Sequence, residues 1–281
     1  MTQITTTTTE KKTILVIGGT GKTGRRVASR LAQSGWPVRI GSRSSSIKFD
    51  WDDTDTWEHA LQGIDQVYIT YQPDLAVPGA TDAIKMLTTI AIKTGVRKLV
   101  LLSGRGEHEA QHSEQIIIQS GLEWTIVRAS WFCQNFSEGN FLEPIMAGFL
   151  AIPAGDVGEP FVDIDDIADV VVAALTVNGH NSKIYEVTGP RLLTFKEAVN
   201  EISKEIGKPI QYQEVSINEY KAELATYELP HDVIWLISYL FTEVLDGRNE
   251  KIATGVEEAL GRKATDFSAF VKKAAKEGAW N

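Results

Sequence analysis

One cysteine, three methionines, nine prolines and five histidines in 281 residues leave little material for several kinds of protein. The lone Cys133 excludes an internal disulfide and a cysteine-built zinc site, which suits a reducing cytoplasm. Basic charge is also in short supply. Against 37 Asp and Glu stand 28 Lys and Arg, and the formal charge of −9 works against broad attraction to nucleic-acid phosphates. Long hydrophobic runs are missing too: Val233 to Leu245, VIWLISYLFTEVL, is too short and interrupted to span a bilayer and reads as a buried or amphipathic helix. The opening stretch, MTQITTTTTEKK, has neither the basic start nor the apolar core of a secretory signal, so residues 1–12 are expected to be a frayed polar tail. A cytoplasmic protein that binds neither nucleic acid nor membrane is the expectation, with monomer and homodimer both open.

What is present is 43% hydrophobic residues spread along the whole length, enough for one large α/β domain with an appendage. Short β-branched runs at Thr13–Ile17, Val38–Ile40, Gln66–Thr70, Lys98–Leu102, Trp124–Val127 and Lys183–Val187 alternate with helical patterns at 25–32, 79–93, 110–119 and 165–175. A further short strand is expected just before Asp50. Such alternation predicts a doubly wound α/β fold, a mainly parallel sheet with helices on both faces. Past Gly189 and Pro190 the pattern turns helical, with Thr194 as N-cap of 195–206 and Pro209 as the stop. The expected division is a main domain over 13–190, contributing part of a substrate pocket from about 131–160, and a small helix-rich C-terminal substrate-binding cap over 191–281. In open parallel sheets ligands sit at the carboxyl ends of the strands, where such a cap would close.

Directly after the first strand comes Gly18-Gly19-Thr20-Gly21-Lys22-Thr23-Gly24, which satisfies G-x-G-x-x-G. A turn without Cβ atoms lets a pyrophosphate approach the backbone, and the N-terminus of the next helix presents N–H groups to it. The triphosphate-loop alternative fails on spacing, because its first glycine falls on Val16. At the end of the second strand an NAD site usually places an acid against the ribose 2′-hydroxyl; this chain has Gly41-Ser42-Arg43. A hydroxyl and a guanidinium suit a 2′-phosphate, so NADPH/NADP is expected over NAD, with Lys22 as a second cation for the same phosphate. Arg43 as a plain surface cation is the competing reading. Asp50 and Trp51 are placed either against an adenine ring or, with Asp52 and Asp53, at the start of a helix. Tyr71 and Gln72, then Ser103 and Gly104, end later strands and should line the path to the nicotinamide.

VIGGTGKTGRRVA, FDWDD at 49–53, LLSGRG at 101–106, SGLEWTIVRASWFCQNFSE at 120–138, FVDIDDIADVVVAAL at 161–175 and YEVTGP at 185–190 together resemble the NmrA-like group of atypical short-chain dehydrogenases/reductases, and within it the ergot-alkaloid-type reductase branch. The resemblance implies a Rossmann domain, NADP(H) binding, and either reduction of a small organic substrate or cofactor sensing without turnover. It also implies that Trp131, Phe132, Asn135 and Phe136 lie beside the nicotinamide and substrate, with Gln134 or Asn135 as the polar handle; simple core packing is the other reading.

Ordinary short-chain dehydrogenases use a Tyr-x-x-x-Lys pair, and none of the seven tyrosines here has Lys four residues later. Catalysis then needs no proton donor, as when hydride meets an already cationic iminium carbon, or it uses His112, whose type titrates near neutrality, Glu114, which could orient His112 or act itself, or Ser103 after the fifth strand. A capping or surface role competes for His112, and bonding of its own turn for Ser103. Asp163, Asp165, Asp166 and Asp169 are spaced as a helix N-terminus, not as a metal site. The function expected is an NADPH-dependent reductase of a small hydrophobic or cyclic imine/iminium, carbonyl, enone or quinone. The alternatives are an NADP(H) sensor that binds a protein partner, and a cyclase or isomerase that keeps only the fold.

Overall fold

The computed structural model describes residues 11–281, so of the expected polar tail only Lys11 and Lys12 fall within the described residues. Six parallel strands form the main sheet: β1 (Ile14–Ile17), β2 (Val38–Gly41), β3 (Gln66–Ile69), β4 (Lys98–Gly104), β5 (Glu123–Ala129) and, after β6 (Phe149–Ile152), β7 (Lys183–Val187). Their order is β2-β1-β3-β4-β5-β7, with Ile14 opposite both Val38 and Gln66. The chain therefore runs outward from β1 to β2 and then crosses to the other side for β3, opening a crevice at the carboxyl ends of β1 and β3.

All four residues of β1 are buried, as a strand covered on both faces requires. Ile14 and Val16 face α1 (Lys22–Gln33) and α6 (Ile164–Thr176), packing with Val27, Leu31, Ile167 and Val171. Leu15 and Ile17 face the other way, into a core with Trp57, Leu61, Ile84 and Ile117 from α2 (Asp55–Leu61), α3 (Ala80–Lys93) and α4 (His108–Ile118). This is the expected Rossmann-like α/β sheet.

Two features differ from expectation. The strand before Asp50 reduces to an isolated bridge between Ser42 and Lys48. Serine side chains there replace the ladder: Ser45 Oγ accepts from Ser42 N–H at 2.9 Å and lies 2.8 Å from the carbonyl of Ile47. Conversely, β6 pairs in parallel with β8 (Gln211–Glu214) in a second sheet. β8 reads QYQE and has no apolar run to betray it.

Downstream lie α5 (Leu142–Met146), which precedes β6, then α7 (Phe195–Ile206), α8 (Ile217–Ala225), α9 (His231–Tyr239), α10 (Gly255–Leu260) and α11 (Phe267–Lys276). Thr194 caps α7 in a capping box with Glu197. A core of Phe136, Phe141, Phe161, Phe195, Phe241 and Phe267 joins these helices to the 131–161 segment. The division near residue 190 is crossed again by α10, whose Val256 packs in the main-sheet core against α6. Gly255 permits this return, since a Cβ there would collide with the carbonyl of Glu186. Among the described residues no helix is long and apolar enough to cross a membrane.

Candidate functional site

The glycine turn occupies the crevice. Gly18 adopts φ +69° and its N–H donates to Gly41 O at 2.9 Å, tying β1 to β2 as the chain leaves the sheet. Gly24, in the first turn of α1, lies against the Gly18 carbonyl where any Cβ would collide. It does not line the cavity: its role is to let helix and turn pack. No side chain caps α1, whose N-cap is Gly21, so the first N–H groups of the helix are left to a ligand. Gly18, Thr20, Gly21, Lys22 and Thr23 border a cavity of about 1090 Å³ that runs from β2 to the C-terminal helices.

At one end of it lie Ser42, Arg43, Asp50, Trp51, Tyr71 and Gln72. Arg43 is exposed and makes no ion pair among the described residues. Trp51 is held rigidly: its Nε1–H donates to Thr70 O at 3.1 Å, and its ring lies 4.7 Å from that of Tyr71 and 5.0 Å from that of Phe49. Helix α2 starts only at Asp55, so Asp50 and Trp51 are cavity residues and not helix starters. Lys22 is placed differently from expectation. Its Nζ sits against Gly139 and Asn135, beyond β5, on the opposite side of the turn from Arg43. It does not form one cation cluster with Arg43. Burial, with Arg25 and Arg26 nearby, pulls its ammonium below the ordinary lysine value against the opposing pull of Glu138.

At the other end the cavity is lined by Ser103, Gly104, Trp131, Phe132 and Asn135, and also by Phe141, Tyr220, Leu236, Ile237 and Phe241. The run 233–245 thus covers the pocket, through α9 and the π-helical turn after it. Besides Gly24, four expected residues, Phe136, His112, Glu114 and Gln134, do not line it. Phe136 is wholly buried among the phenylalanines of the cap core. His112 points outward, its side chain 69% exposed and 3.6 Å from Glu109. Glu114 is 0% exposed and is engaged by Arg128 at 2.6 Å and by Ser103 Oγ–H at 2.7 Å. Ser103 therefore borders the cavity with its proton already committed to Glu114. Gln134 is buried in bonds to Asp163 and to the Ile164 N–H, and burial pushes the Cys133 thiol well up.

The aspartates of α6 are structural: Asp163 is the N-cap, Asp165 and Asp169 pair with Arg30, and Asp166 pairs with Arg262. No group of metal-binding side chains is formed among the described residues.

Sequence reasoning missed two carboxyls. Asp74, after β3, and Glu107, the N-cap of α4, line the cavity together, close enough for each carboxyl to perturb the other. Glu107 lies over Gly104, filling the space a Cβ would need there, and is only 6% exposed. Burial, and then Asp74 beside it, raises the Glu107 carboxyl well above the ordinary range; burial likewise raises Asp74. Neither residue belongs to a motif. Only their positions just past strand ends could have drawn attention.

A Rossmann-like sheet with a side-chain-free helix N-terminus at its switch point, covered by a helical cap, is a dinucleotide-binding architecture. The chain belongs to the NmrA-like family, whose model matches residues 10–272. Among relatives, the prestalk A differentiation protein A of Dictyostelium discoideum is 29% identical over 96% of this chain and 94% of its own length. Agroclavine dehydrogenase of Claviceps fusiformis is 28% identical over 92% and 96%. The crystal structure of Citrobacter sp. triphenylmethane reductase complexed with NADP(H) superposes with a TM-score of 0.73 at 20% identity, covering 93% of this chain and 99% of the other.

Proposed function

We propose that this protein is an NADPH-dependent reductase of a small hydrophobic or cyclic organic acceptor, of the imine/iminium, carbonyl, enone or quinone type. The observation that carries the reading is the continuity of one cavity, from the uncapped glycine turn and Arg43 at one end to the aromatic and aliphatic surface of Trp131, Phe141, Leu236 and Phe241 at the other. The turn fits a pyrophosphate because Gly21 borders the cavity without a Cβ beside the uncapped N–H groups that start α1. Trp51 and Tyr71 offer flat faces for an adenine, and Arg43, with no acid at the end of β2, suits a 2′-phosphate. Lys22, whose Nζ lies against Gly139 in the loop that also carries Asn135, would serve the diphosphate and the nicotinamide ribose. When bound, NADPH supplies a hydride. The protein's part is to hold the acceptor's flat apolar body against the cap, keep water out through Leu236, Leu240 and Phe241, and orient the reacting group through Asn135. Two of the relatives, a dehydrogenase and a reductase complexed with NADP(H), support the same class of chemistry.

Titration of the purified protein with NADPH and with NADH, followed by nicotinamide fluorescence, and then absorbance on adding cyclic imines, enones and quinones, tests the proposal. Tight NADPH binding with oxidation by any of these acceptors is the expected result. Binding without oxidation would favour the sensor reading, product without NADPH consumption the isomerase reading, and no binding would overturn the assignment of the turn.

A further inference from the structure

We infer that Asp74 and Glu107 are a proton-sharing carboxyl pair that protonates the bound acceptor, with Asp74 as the donor at the cavity surface and Glu107 as the positioning residue behind it. The inference rests on the reductase reading and deepens it.

Geometry narrows the choice of donor. The Ser103 proton is directed at Glu114, and Glu114 is held by the Arg128 guanidinium behind the cavity wall. His112 lies outside the cavity altogether. Two phenols do line it, but burial raises both, Tyr220 to about 12, and no lysine is spaced to bring either down. A phenol so placed gives up its proton reluctantly near neutrality.

Asp74 and Glu107 are different. Glu107 is more than nine-tenths buried, and its Oε2 has no donor among the described residues. Asp74 is part-exposed, and its Oδ1 accepts from the Ala76 N–H at 2.8 Å, which leaves Oδ2 for Glu107 or for a ligand. No Lys or Arg forms an ion pair with either among the described residues. The charged or titratable groups facing Glu107 are Asp74 from the β3 loop, Glu114 from α4 and Tyr239 from α9. Two carboxylates in contact without a cation cannot both be ionised cheaply, so one proton stays between them. The pair then offers one acid and one base side by side in the cavity lining.

The step balances simply. As the acceptor carbon gains a hydride, two electrons and one hydrogen, its nitrogen or oxygen takes the proton from Asp74 Oδ2. The pair, left doubly negative, recovers a proton from water. Overall one hydride and one proton are added across the C=N or C=O bond.

The test uses the full chain and its Asp74→Asn, Glu107→Gln and Glu159→Gln variants. Infrared titration of the cofactor-free protein should show a protonated carboxyl at neutral pH that is lost in Glu107→Gln, titrates at lower pH in Asp74→Asn, where burial still raises Glu107, and is retained unshifted in Glu159→Gln. Stopped-flow single turnover with saturating NADPH and the acceptor that wild type oxidises it with should then run at least about tenfold slower in the first two, without the fall at rising pH that wild type shows, while their NADPH affinity stays within about twofold. An infrared signal unchanged in both variants would overturn the shared proton. A lost or shifted signal with unaltered rate and pH profile would reduce the pair to a structural contact. If wild type binds no NADPH, or oxidises none with any acceptor, the reductase reading fails and the donor role with it, and the infrared arm still decides whether the proton is shared.

Discussion

Replacing Arg43 by alanine separates a 2′-phosphate ligand from a surface cation. Arg43 borders the cavity at the end of β2, where Ser42 and not an acid precedes it, and it makes no ion pair among the described residues. Removing it should therefore leave the melting temperature unchanged while deleting a charge-assisted contact to phosphate. Such hydrogen bonds contribute about 1.5–3 kcal/mol when sheltered. Arg43 is exposed, and screening lowers the expectation to about 1–2 kcal/mol, or about fivefold to thirtyfold in NADPH affinity. NADH, which has no 2′-phosphate, should lose less than about twofold on the same scale. The assay is a fluorescence titration of wild type and Arg43→Ala with both cofactors at fixed ionic strength, repeated at higher salt, where the wild-type preference should narrow. An equal loss for NADPH and NADH, or no loss for either, would refute the assignment, since a cation that does not touch the 2′ position cannot distinguish the two.

Gly21→Val sets a Cβ at a tight 3.2 Å from Gly18 O, which a small shift of the turn must relieve, and should abolish detectable NADPH binding by crowding the turn; calorimetry on a variant with native circular dichroism separates lost binding from lost folding. Arg128→Ala strands the wholly buried Glu114 without its guanidinium and should cost about 3–5 kcal/mol in urea denaturation; a loss under about 1 kcal/mol would show that the pair adds little. Glu159 is buried beneath Trp131, and burial lifts its carboxyl to about 7, against the opposing effects of the Trp131 N–H, Arg105 and Ser130. Because the folded value lies above the unfolded one, the native state binds more protons in between, and this group's stabilisation is present below the ordinary glutamate value and lost as pH rises to about 7. Glu159→Gln should accordingly be more stable than wild type in mildly alkaline buffer, by on the order of 3 kcal/mol, and lose that advantage in acid; a constant difference across pH would contradict the burial argument.

The sequence by itself determined what depends on neighbours along the chain. The glycine turn is a local backbone requirement, met within seven residues between a strand and a helix. The Thr194 capping box is settled by four consecutive positions, and the missing acid after β2 is read from Gly41, Ser42 and Arg43 directly. The alternation of elements follows from apolar periodicity, which is why the parallel sheet was legible and β8, with no apolar run, was not.

Tertiary structure alone decided which side chains share the cavity. His112 and Glu114 stand two residues apart on α4, which turns one toward solvent and the other into the interior, and only the packed orientation of that helix says which. Phe132 and Phe136 look alike in sequence, yet one borders the cavity and the other fills the cap core. Asp74 and Glu107 are brought together because β3 and β4 are adjacent parallel strands whose carboxyl ends open at the same edge. Burial then sets their protonation, and burial depends on parts of the chain far apart in sequence, here a cap helix more than a hundred residues further along.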